Sequence, residues 1–240
     1  MRLDQAIAAR VQDISRRKAR ELIAQKRVLV NERRVGVASR EVAGDDRIAI
    51  VDVDAPEVPI IASTDEWVAI DKPAGMPTQP PRDRKDRSAE ELLRVRFGEI
   101  YLVHRIDTPT SGIVLFARTR EAAARLSELF ATGAIRKIYL AVAAGSIAAE
   151  TVIEEPIDGR DAKTIVRPLR EVGGRTAVEA EILTGRTHQI RIHLAAGHPV
   201  AGDRRYAGPP APRLMLHAWK LEHPSVGSLV APPPPGFALL

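Results

Sequence analysis

The chain has 240 residues, of which 45% are hydrophobic and 28% are charged, a balance that favours a packed core over disorder. It contains no cysteine, which excludes disulfide bonds, thiolate metal sites and a thiol nucleophile. No apolar run approaches the roughly 20 residues that cross a bilayer, and the first residues lack the apolar stretch of a signal peptide. We therefore expect a cytoplasmic protein with no membrane association.

The formal net charge is +5, and the basic excess is concentrated near the N-terminus. Residues 10–34 hold 9 Lys and Arg against 3 Asp and Glu. A cluster of this density is a candidate contact surface for nucleic-acid phosphates. It also fits a solvated helix face, so charge patterning alone does not decide between the two.

The N-terminal residues predict two short helices followed by short strands. Leu3, Ile7 and Val11 are four residues apart and share one helical face. Ser15 is typical of the N-cap of a second, basic helix. The strand-like segments VLVN, VGV and RIAIVDV follow, with a polar turn predicted at residues 32–34. The apolar stripe of the second helix is Ala19, Leu22 and Ile23.

This order of elements, with a basic helix before KRVLVNERRV, resembles the S4-like RNA-binding domain, named after a protein of the small ribosomal subunit. The resemblance covers residues 1–53 and implies that the second helix and the turn after it grip the RNA backbone. Such contacts give affinity and salt dependence but little sequence selectivity. The matching positions are Arg16, Arg17, Lys18, Arg20, Lys26 and Arg27.

Residues 54–61 include two prolines and predict a linker to a second domain at residues 62–240. That domain opens with EWVAIDKPAGMPTQPP, which predicts a strand entering a Pro- and Gly-rich loop. Residues 82–87 predict a charged loop, and Ser88 with Glu91 forms a capping box that predicts the start of a helix.

Strands are predicted further on at residues 112–117, 137–143, 177–183 and 187–194, with one amphipathic helix at 120–130. Many strands and few helices, without regular alternation, favour an α+β fold around a mixed, mostly antiparallel sheet. The Pro-rich tail VAPPPPGFALL predicts an extended strap at the periphery.

Two segments carry polar residues suited to chemistry. In YLVHRIDTPTSG, a strand delivers His104, Arg105 and Asp107 to a turn. A carboxylate in this position can face a cleft rigidly, although Asp also commonly caps such turns. In RKIYLAVAAG, Tyr139 equally fits an ordinary half-buried strand tyrosine.

A third segment, THQIRIHLAAGHPVAGDRRY, alternates between polar and apolar residues, which predicts a strand. An arginine on such a strand requires a carboxylate or phosphate partner. A metal site is the weaker interpretation of the histidines, because no acidic residue lies at ligand spacing. The predicted core face is Ile190, Ile192 and Leu194, and the predicted polar face is Gln189, Arg191 and His193.

HRIDTPTSG resembles the HRLDxxTSG signature of RluA-type RNA pseudouridine synthases. Four further segments match that family in order: IDKPAGMP, RKIYLAV, GRTHQIRIHLAAGHPVAGDRRY and LMLHAWKLEHP. The resemblance covers residues 62–240. The related RsuA group has Gly in place of His104 and lacks the THQIRIH form, so the sequence favours the RluA type.

The resemblance implies isomerisation of uridine to pseudouridine in structured RNA, without a cofactor. Asp107 stands at the position of the catalytic aspartate, and Arg191 at that of the arginine that orients it. Tyr139 stands at that of the tyrosine that packs against the uracil and can serve as the base that removes the C5 proton. Arg105 stands where the motif arginine helps to displace the target base. The positions that match further pocket residues are Lys137 and Leu194.

The chain departs from the family pattern at Ile106, at Thr108 with Pro109, and at Gln79, which leaves the choice of target uridine open. We expect ribosomal RNA of the large subunit as the partner, ahead of transfer RNA, and a monomer without a bound metal. A non-catalytic RNA-binding factor is expected to have lost Asp107, Tyr139 or Arg191. A glycosidase-like hydrolase normally uses two carboxylates, so an isomerase is favoured.

Overall fold

The computed structural model describes residues 1–51, 58–81, 87–234 and 237, which fall into two compact units. The first unit comprises residues 1–57 and 91–99, and the second comprises residues 58–90 and 100–240. The helix predicted after the capping box is thus grouped largely with the N-terminal unit. Most of the predicted charged loop, residues 82–86, and the first half of the predicted linker, residues 54–57, lie outside the described residues.

The N-terminal unit begins with α1 (Leu3–Arg10), α2 (Arg16–Ala24), β1 (Val28–Val30), β2 (Arg33–Val35) and β3 (Ile48–Ile50). The predicted cap of α2 is confirmed, since the Ser15 hydroxyl accepts a hydrogen bond from the Lys18 N–H at 3.2 Å. The polar turn predicted at residues 32–34 is wrong by about one residue. The turn falls on Asn31 and Glu32, which both have positive φ, and β2 follows at once.

Strand β1 lies between β2 and β3 and is antiparallel to both. The apolar faces of the helices and strands close one core, so the predicted stripe of α2 is confirmed and the basic residues of that helix are left at the surface. The buried members of this core are Leu3, Ala6, Ile7, Ala19, Leu22, Ile23, Val28, Val30, Val35 and Val42.

The remainder of the chain supplies the other elements, in which the helix predicted at 120–130 and the strands predicted at 112–117, 137–143 and 177–183 reappear with small shifts at their ends. One difference is that β4 begins at Ile60, within the segment that the sequence predicts as a linker. The elements are β4 (Ile60–Ser63), β5 (Trp67–Lys72), α3 (Ala89–Phe97), β6 (Tyr101–Leu102), β7 (Ser111–Ala117), α4 (Arg120–Ala131), β8 (Arg136–Ala144), β9 (Thr151–Ile153), β10 (Thr164–Val172), β11 (Arg175–Ile182), α5 (Gln189–Ala195), β12 (Leu216–His223) and β13 (Gly227–Val230).

Among the described residues of the second unit, ten strands form one sheet in the order β4-β5-β7-β12-β8-β11-β10-β9, with β13 beside β12 and β6 beside β7. All neighbours are antiparallel except β7 and β12, which run parallel. This confirms the predicted α+β fold with a mixed, mostly antiparallel sheet. Gly112 makes the parallel pairing possible, because its φ is +110° and a side chain there would collide with the backbone of Ala218.

The strand predicted at residues 187–194 is wrong, because residues 189–195 form helix α5. Ile190 and Leu194 are four residues apart, so they share the helical face that packs against β10 and β11. The predicted polar face does not exist either. Gln189, Arg191 and His193 are all buried, and of these Gln189 and Arg191 line the cavity described below, whereas His193 does not.

At the C-terminus, Phe237 is buried and packs in a cluster with Leu140, Val142 and Met215. Residues 235–236 and 238–240 of the predicted strap lie outside the described residues. No helix in the described part of the chain is long and apolar enough to span a membrane.

Candidate active site

Asp107 lies in the turn that leads into β7, and its side chain is 19% exposed at a cavity of about 350 Å³. The turn is closed by the backbone, since the Thr110 N–H donates to the Asp107 carbonyl at 3.0 Å. The Thr78 hydroxyl donates to the adjacent Ile106 carbonyl at 2.8 Å from a buried position. Because the backbone closes the turn, the Asp107 carboxylate does not cap it and instead borders the cavity.

Lys72, at the end of β5, anchors the same turn from a fully buried position. Its Nζ donates to the carbonyl oxygens of Pro73, Met76 and Thr108 at 3.1, 2.7 and 3.2 Å. Burial lowers the pKa of Lys72 to about 7, although the Asp107 carboxylate favours its charged form. Lys72 thus fixes the backbone on the C-terminal side of Asp107.

Arg191, in the first turn of α5, joins Asp107 to a second carboxylate. Its Nη1 donates to Oδ2 of Asp107 at 3.0 Å, while Nε and Nη2 donate to Asp203 at 2.6 and 2.9 Å. Burial acts to raise the pKa of Asp203, but the ion pair with Arg191 outweighs it and the net shift is downward. Asp203 also accepts the backbone N–H groups of Arg205 and Tyr206, so its loop is locked to the arginine.

His188 caps α5 with a left-handed backbone, its φ being +57°. Its Nε2 lies 3.6 Å from Oδ2 of Asp107, and its Nδ1 lies 3.0 Å from the hydroxyl of Tyr206. The Tyr206 ring in turn lies 5.1 Å from the guanidinium carbon of Arg191. Asp107, Arg191, Asp203, Tyr206 and His188 therefore form a closed ring of contacts.

Tyr139 and Lys137 lie two residues apart on β8 and both line the cavity. Burial, with a contribution from the Asp107 carboxylate, raises the pKa of the half-buried Tyr139 above its ordinary value, so the phenol stays protonated at neutral pH. Lys137 is 6% exposed, and burial lowers its pKa.

His104 forms part of the cavity wall beside α4. Its ring stacks on Phe130 with centroids 4.1 Å apart, and its Nε2 accepts the Leu115 N–H at 2.9 Å. Burial, with a smaller effect of Lys137, lowers the pKa of His104 to about 3. The ring is therefore neutral and, since Nε2 accepts a hydrogen bond, its proton lies on Nδ1.

Of the remaining predicted site residues, Arg105 is exposed and lines the cavity. Leu194 does not line it, because its side chain is turned into the core with Ile190, Val166 and Val178. The sequence resemblance placed Leu194 in the pocket, whereas in the structure it lies in the core. The cause is the helix, which carries Leu194 one turn beyond Ile190 on the apolar face.

Four residues that hold the site together were not predicted from the sequence: Lys72, His188, Asp203 and Tyr206. All four lie inside the matched segments, but no pattern in one sequence links GDRRY to Arg191, because the two are joined only by the fold. The signal that was available is the unbroken polar run of GDRRY after an apolar segment. No group of three or more His, Asp or Glu side chains that could hold a metal ion lies among the described residues.

In the N-terminal unit, a buried carboxylate organises the basic surface. Asp4 has no exposed side-chain area and accepts hydrogen bonds from Nε of Arg2, Arg16 and Arg20 at 3.3, 3.0 and 2.8 Å. Burial acts to raise the pKa of Asp4, but the three guanidinium groups hold it well below its ordinary value. Each arginine uses Nε for Asp4, and each side chain is 44–54% exposed.

The other predicted RNA-binding residues are placed less tightly. Arg17 is 91% exposed and, with Lys18, lies within 3.5 Å of Glu21 on α2. Lys26 is exposed with a φ of +55°, and the Nε of Arg27 donates to the Val51 carbonyl at 3.1 Å. All six predicted positions lie on α2 or in the turn that follows it.

The family model described as RNA pseudouridylate synthase matches residues 66–196, more than half of the chain. The chain belongs to this family. The S4 domain model matches residues 1–48 of this pseudouridine synthase, so both resemblances inferred from the sequence are confirmed.

Similar proteins agree with this assignment. The synthase is 32% identical to "Ribosomal large subunit pseudouridine synthase D" of Yersinia pestis, over 88% of this chain and 74% of the relative. It is 30% identical to the protein of the same name from Nitrosomonas europaea, over 96% of this chain and 79% of the relative. An "Uncharacterized RNA pseudouridine synthase" of Helicobacter pylori is 32% identical, with 88% of each chain covered.

The fold is shared with solved structures. Human RNA pseudouridylate synthase domain containing 4 superposes with a TM-score of 0.66 at 23% identity, covering 75% of the synthase and 90% of the human chain. Human RNA pseudouridylate synthase domain containing 1 superposes with a TM-score of 0.62 at 25% identity, covering 73% and 82%.

Proposed function

We propose that this chain isomerises uridine to pseudouridine in ribosomal RNA of the large subunit, with Asp107 as the catalytic carboxylate and without a cofactor. The substrate is inferred from the names of the relatives from Yersinia pestis and Nitrosomonas europaea, together with the S4 domain. The reaction is inferred from the family.

The observation that carries the proposal is the pairing of Asp107 with Arg191 at the cavity. The carboxylate is partly exposed, whereas its arginine partner is 6% exposed and is neutralised on its far side by Asp203. Asp203 is a second carboxylate nearby, but its side chain is 1% exposed and both of its oxygens accept hydrogen bonds. Asp107 is thus the carboxylate of this group that a substrate can reach.

The chemistry requires no electron transfer and no donated group. The N1–C1′ bond of uridine breaks, the uracil turns, and a C5–C1′ bond forms, while C5 loses a proton and N1 gains one. One anionic carboxylate can serve as a nucleophile at C1′ or at C6, or can stabilise positive charge on the ribose. The hydrogen bond from Arg191 holds the Asp107 carboxylate in position for any of these three routes.

Tyr139 and Arg105 support the reaction in different ways. The raised pKa of Tyr139 keeps the phenol neutral, which favours packing against the uracil over removal of the C5 proton. The target uridine must leave its stack to enter the cavity, at a cost of a few kcal/mol. We propose that Arg105, which is exposed and lines the cavity, occupies the space that the base vacates and so offsets part of that cost.

Release of tritium from an RNA transcript labelled at C5 of uridine tests the proposal, because that hydrogen is lost in the reaction. We expect Asp107→Asn to abolish release from a large-subunit ribosomal RNA transcript while RNA binding and the unfolding midpoint are kept. Asp158→Asn is the matched control, since Asp158 is exposed in a turn and its φ of +52° suits Asn. Undiminished release by Asp107→Asn would remove Asp107 from the catalytic role.

A further inference from the structure

The two groups that approach the Asp107 carboxylate from the protein both approach the same oxygen. Nη1 of Arg191 lies 3.0 Å from Oδ2, and Nε2 of His188 lies 3.6 Å from Oδ2. Among the described residues, none donates a hydrogen bond to Oδ1. The carboxylate is therefore held asymmetrically, with one oxygen facing its protein partners and the other left for the cavity.

The hydrogen-bond partners of His188 determine where its proton lies. Burial, aided by the nearby Arg191 and Arg205, lowers the pKa of His188 despite the carboxylates of Asp107 and Asp203, so the ring is neutral at neutral pH. A neutral imidazole carries one N–H. If that proton were on Nδ1, the Nε2 lone pair would point at an anionic oxygen, which is repulsive. The favoured tautomer has Nε2–H toward Asp107 and Nδ1 accepting from the Tyr206 hydroxyl.

The backbone around His188 is held by several hydrogen bonds. A strained backbone conformation at a functional position persists only where the surrounding structure holds it in this way. The His188 φ of +57° is uncommon for a residue other than Gly or Asn. The buried Gln189 holds the preceding turn, because its Oε1 accepts from the Thr184 hydroxyl and the Arg186 N–H at 2.7 and 3.0 Å. Its Nε2 donates to the Lys163 carbonyl and to Thr164 Oγ1 at 2.9 and 3.0 Å.

We propose that His188 is a positioning residue: its Nε2–H, oriented by Tyr206, holds Oδ2 of Asp107, so that Oδ1 is the oxygen that meets the target nucleotide. The inference rests on the proposed catalytic role of Asp107. The 3.6 Å separation is longer than a hydrogen bond. Catalytic hydrogen bonds in free enzymes are often this long and shorten in the complex with the substrate. His188 acts through Asp107 and itself forms no bond to the substrate.

Two variants of His188 distinguish the positioning of Asp107 from a packing role of the ring. His188→Phe keeps a flat ring but removes the N–H, and His188→Gln restores an N–H at a similar reach. We expect His188→Phe to lower kcat by about 10- to 100-fold, the scale of a misplaced reacting group, with KM for a large-subunit ribosomal RNA transcript changed by less than about twofold. His188→Gln recovers most of that loss.

His193→Gln is the matched control in the same helix. His193 is also buried, but its ring nitrogens bond to Thr164 and to the Glu155 carbonyl and are not directed at Asp107. We expect this variant to lower the unfolding midpoint while leaving kcat near the wild-type value. A fall in kcat equal to that of His188→Phe would mean that damage to α5, and not the contact with Asp107, causes the loss.

The tautomer provides a readout that packing does not affect. Nitrogen-15 chemical shifts of the His188 imidazole at neutral pH should report a proton on Nε2, and Tyr206→Phe should shift that proton partly to Nδ1. A proton on Nδ1 in the wild-type protein, or normal kcat in His188→Phe, overturns the inference. If Asp107→Asn is inactive in the same assay while His188→Phe is normal, this inference fails alone; if Asp107→Asn is active, the proposed function fails.

Discussion

Arg191 donates to Asp107 through one nitrogen, Nη1, over 3.0 Å, and its other two nitrogens, Nε and Nη2, donate to Asp203. The arginine is thus fixed bidentately from the buried side and offers one directed hydrogen bond toward the cavity. This geometry fixes the carboxylate without covering it, because the rigid planar fork of a guanidinium can face two acceptors at once.

Replacement of Arg191 by Met should strongly lower kcat and destabilise the fold. The change leaves the buried Asp203 without its cationic partner, and breaking a buried pair in this way costs about 3–5 kcal/mol. Tritium release and urea unfolding measure the two effects. Arg191→Lys is the informative companion, because one ammonium group cannot bridge both carboxylates, so kcat should remain low even where part of the stability returns. Normal turnover in either variant contradicts the pairing.

Asp203→Asn should lower the catalytic rate although Asp203 does not line the cavity. The amide keeps the shape but loses the charge that holds Arg191, so we expect a lower kcat with RNA affinity retained. The free energy of unfolding should fall by about 1–3 kcal/mol, the usual cost of a broken buried hydrogen bond. Asp158→Asn should change neither quantity. If kcat is unchanged in Asp203→Asn, Arg191 is held in place without this carboxylate.

The stability of the fold should depend on pH through His104. Its pKa is lowered from an ordinary 6.5 to about 3 by burial, so between these values the unfolded chain binds a proton that the folded chain does not. The stabilisation of the folded state that results from the lowered pKa of His104 is fully present above pH 6.5 and is lost as the pH falls toward 3. In urea titrations across this range, His104→Gln should lose less stability on acidification than the wild type. Parallel pH dependences would show that His104 does not titrate as proposed.

Arg17 tests the RNA-binding surface with little risk to the fold, since its side chain is 91% exposed. Arg17→Gln should weaken RNA binding uniformly across sequences and lower the slope of log affinity against log salt by about one. The matched control is Arg170→Gln, which removes an exposed charge from β10 in the other unit. Equal losses in both variants would indicate a general effect of net charge and not a defined surface.

The local elements were largely predictable from the sequence, because they follow from local chemistry. The cap at Ser15 and the apolar stripe of α2 come from side chains within one helix turn, and both are found in the structure. Strands β7, β8 and β11 were predicted for the same reason, from continuous or alternating apolar residues.

Helix α5 could not be distinguished from a strand in this way. Ile190 and Leu194 satisfy a period of two and a period of about four alike, and the left-handed His188 that starts the helix has no signature in the sequence. The ring from Arg191 through Asp203 and Tyr206 to His188 depends on a loop that folds back onto the helix, so it could not be found from spacing alone.

Position-resolved pseudouridine mapping of ribosomal RNA tests whether Asp107 is required for conversion of uridine in the large subunit. It compares cells that lack the gene with cells that carry the wild-type gene or the Asp107→Asn gene. We predict a large-subunit uridine that is converted in cells with the wild-type gene and remains uridine in cells that lack the gene or carry the Asp107→Asn gene, with the wild-type and variant proteins at equal levels. Conversion of that uridine by the Asp107→Asn protein would contradict it.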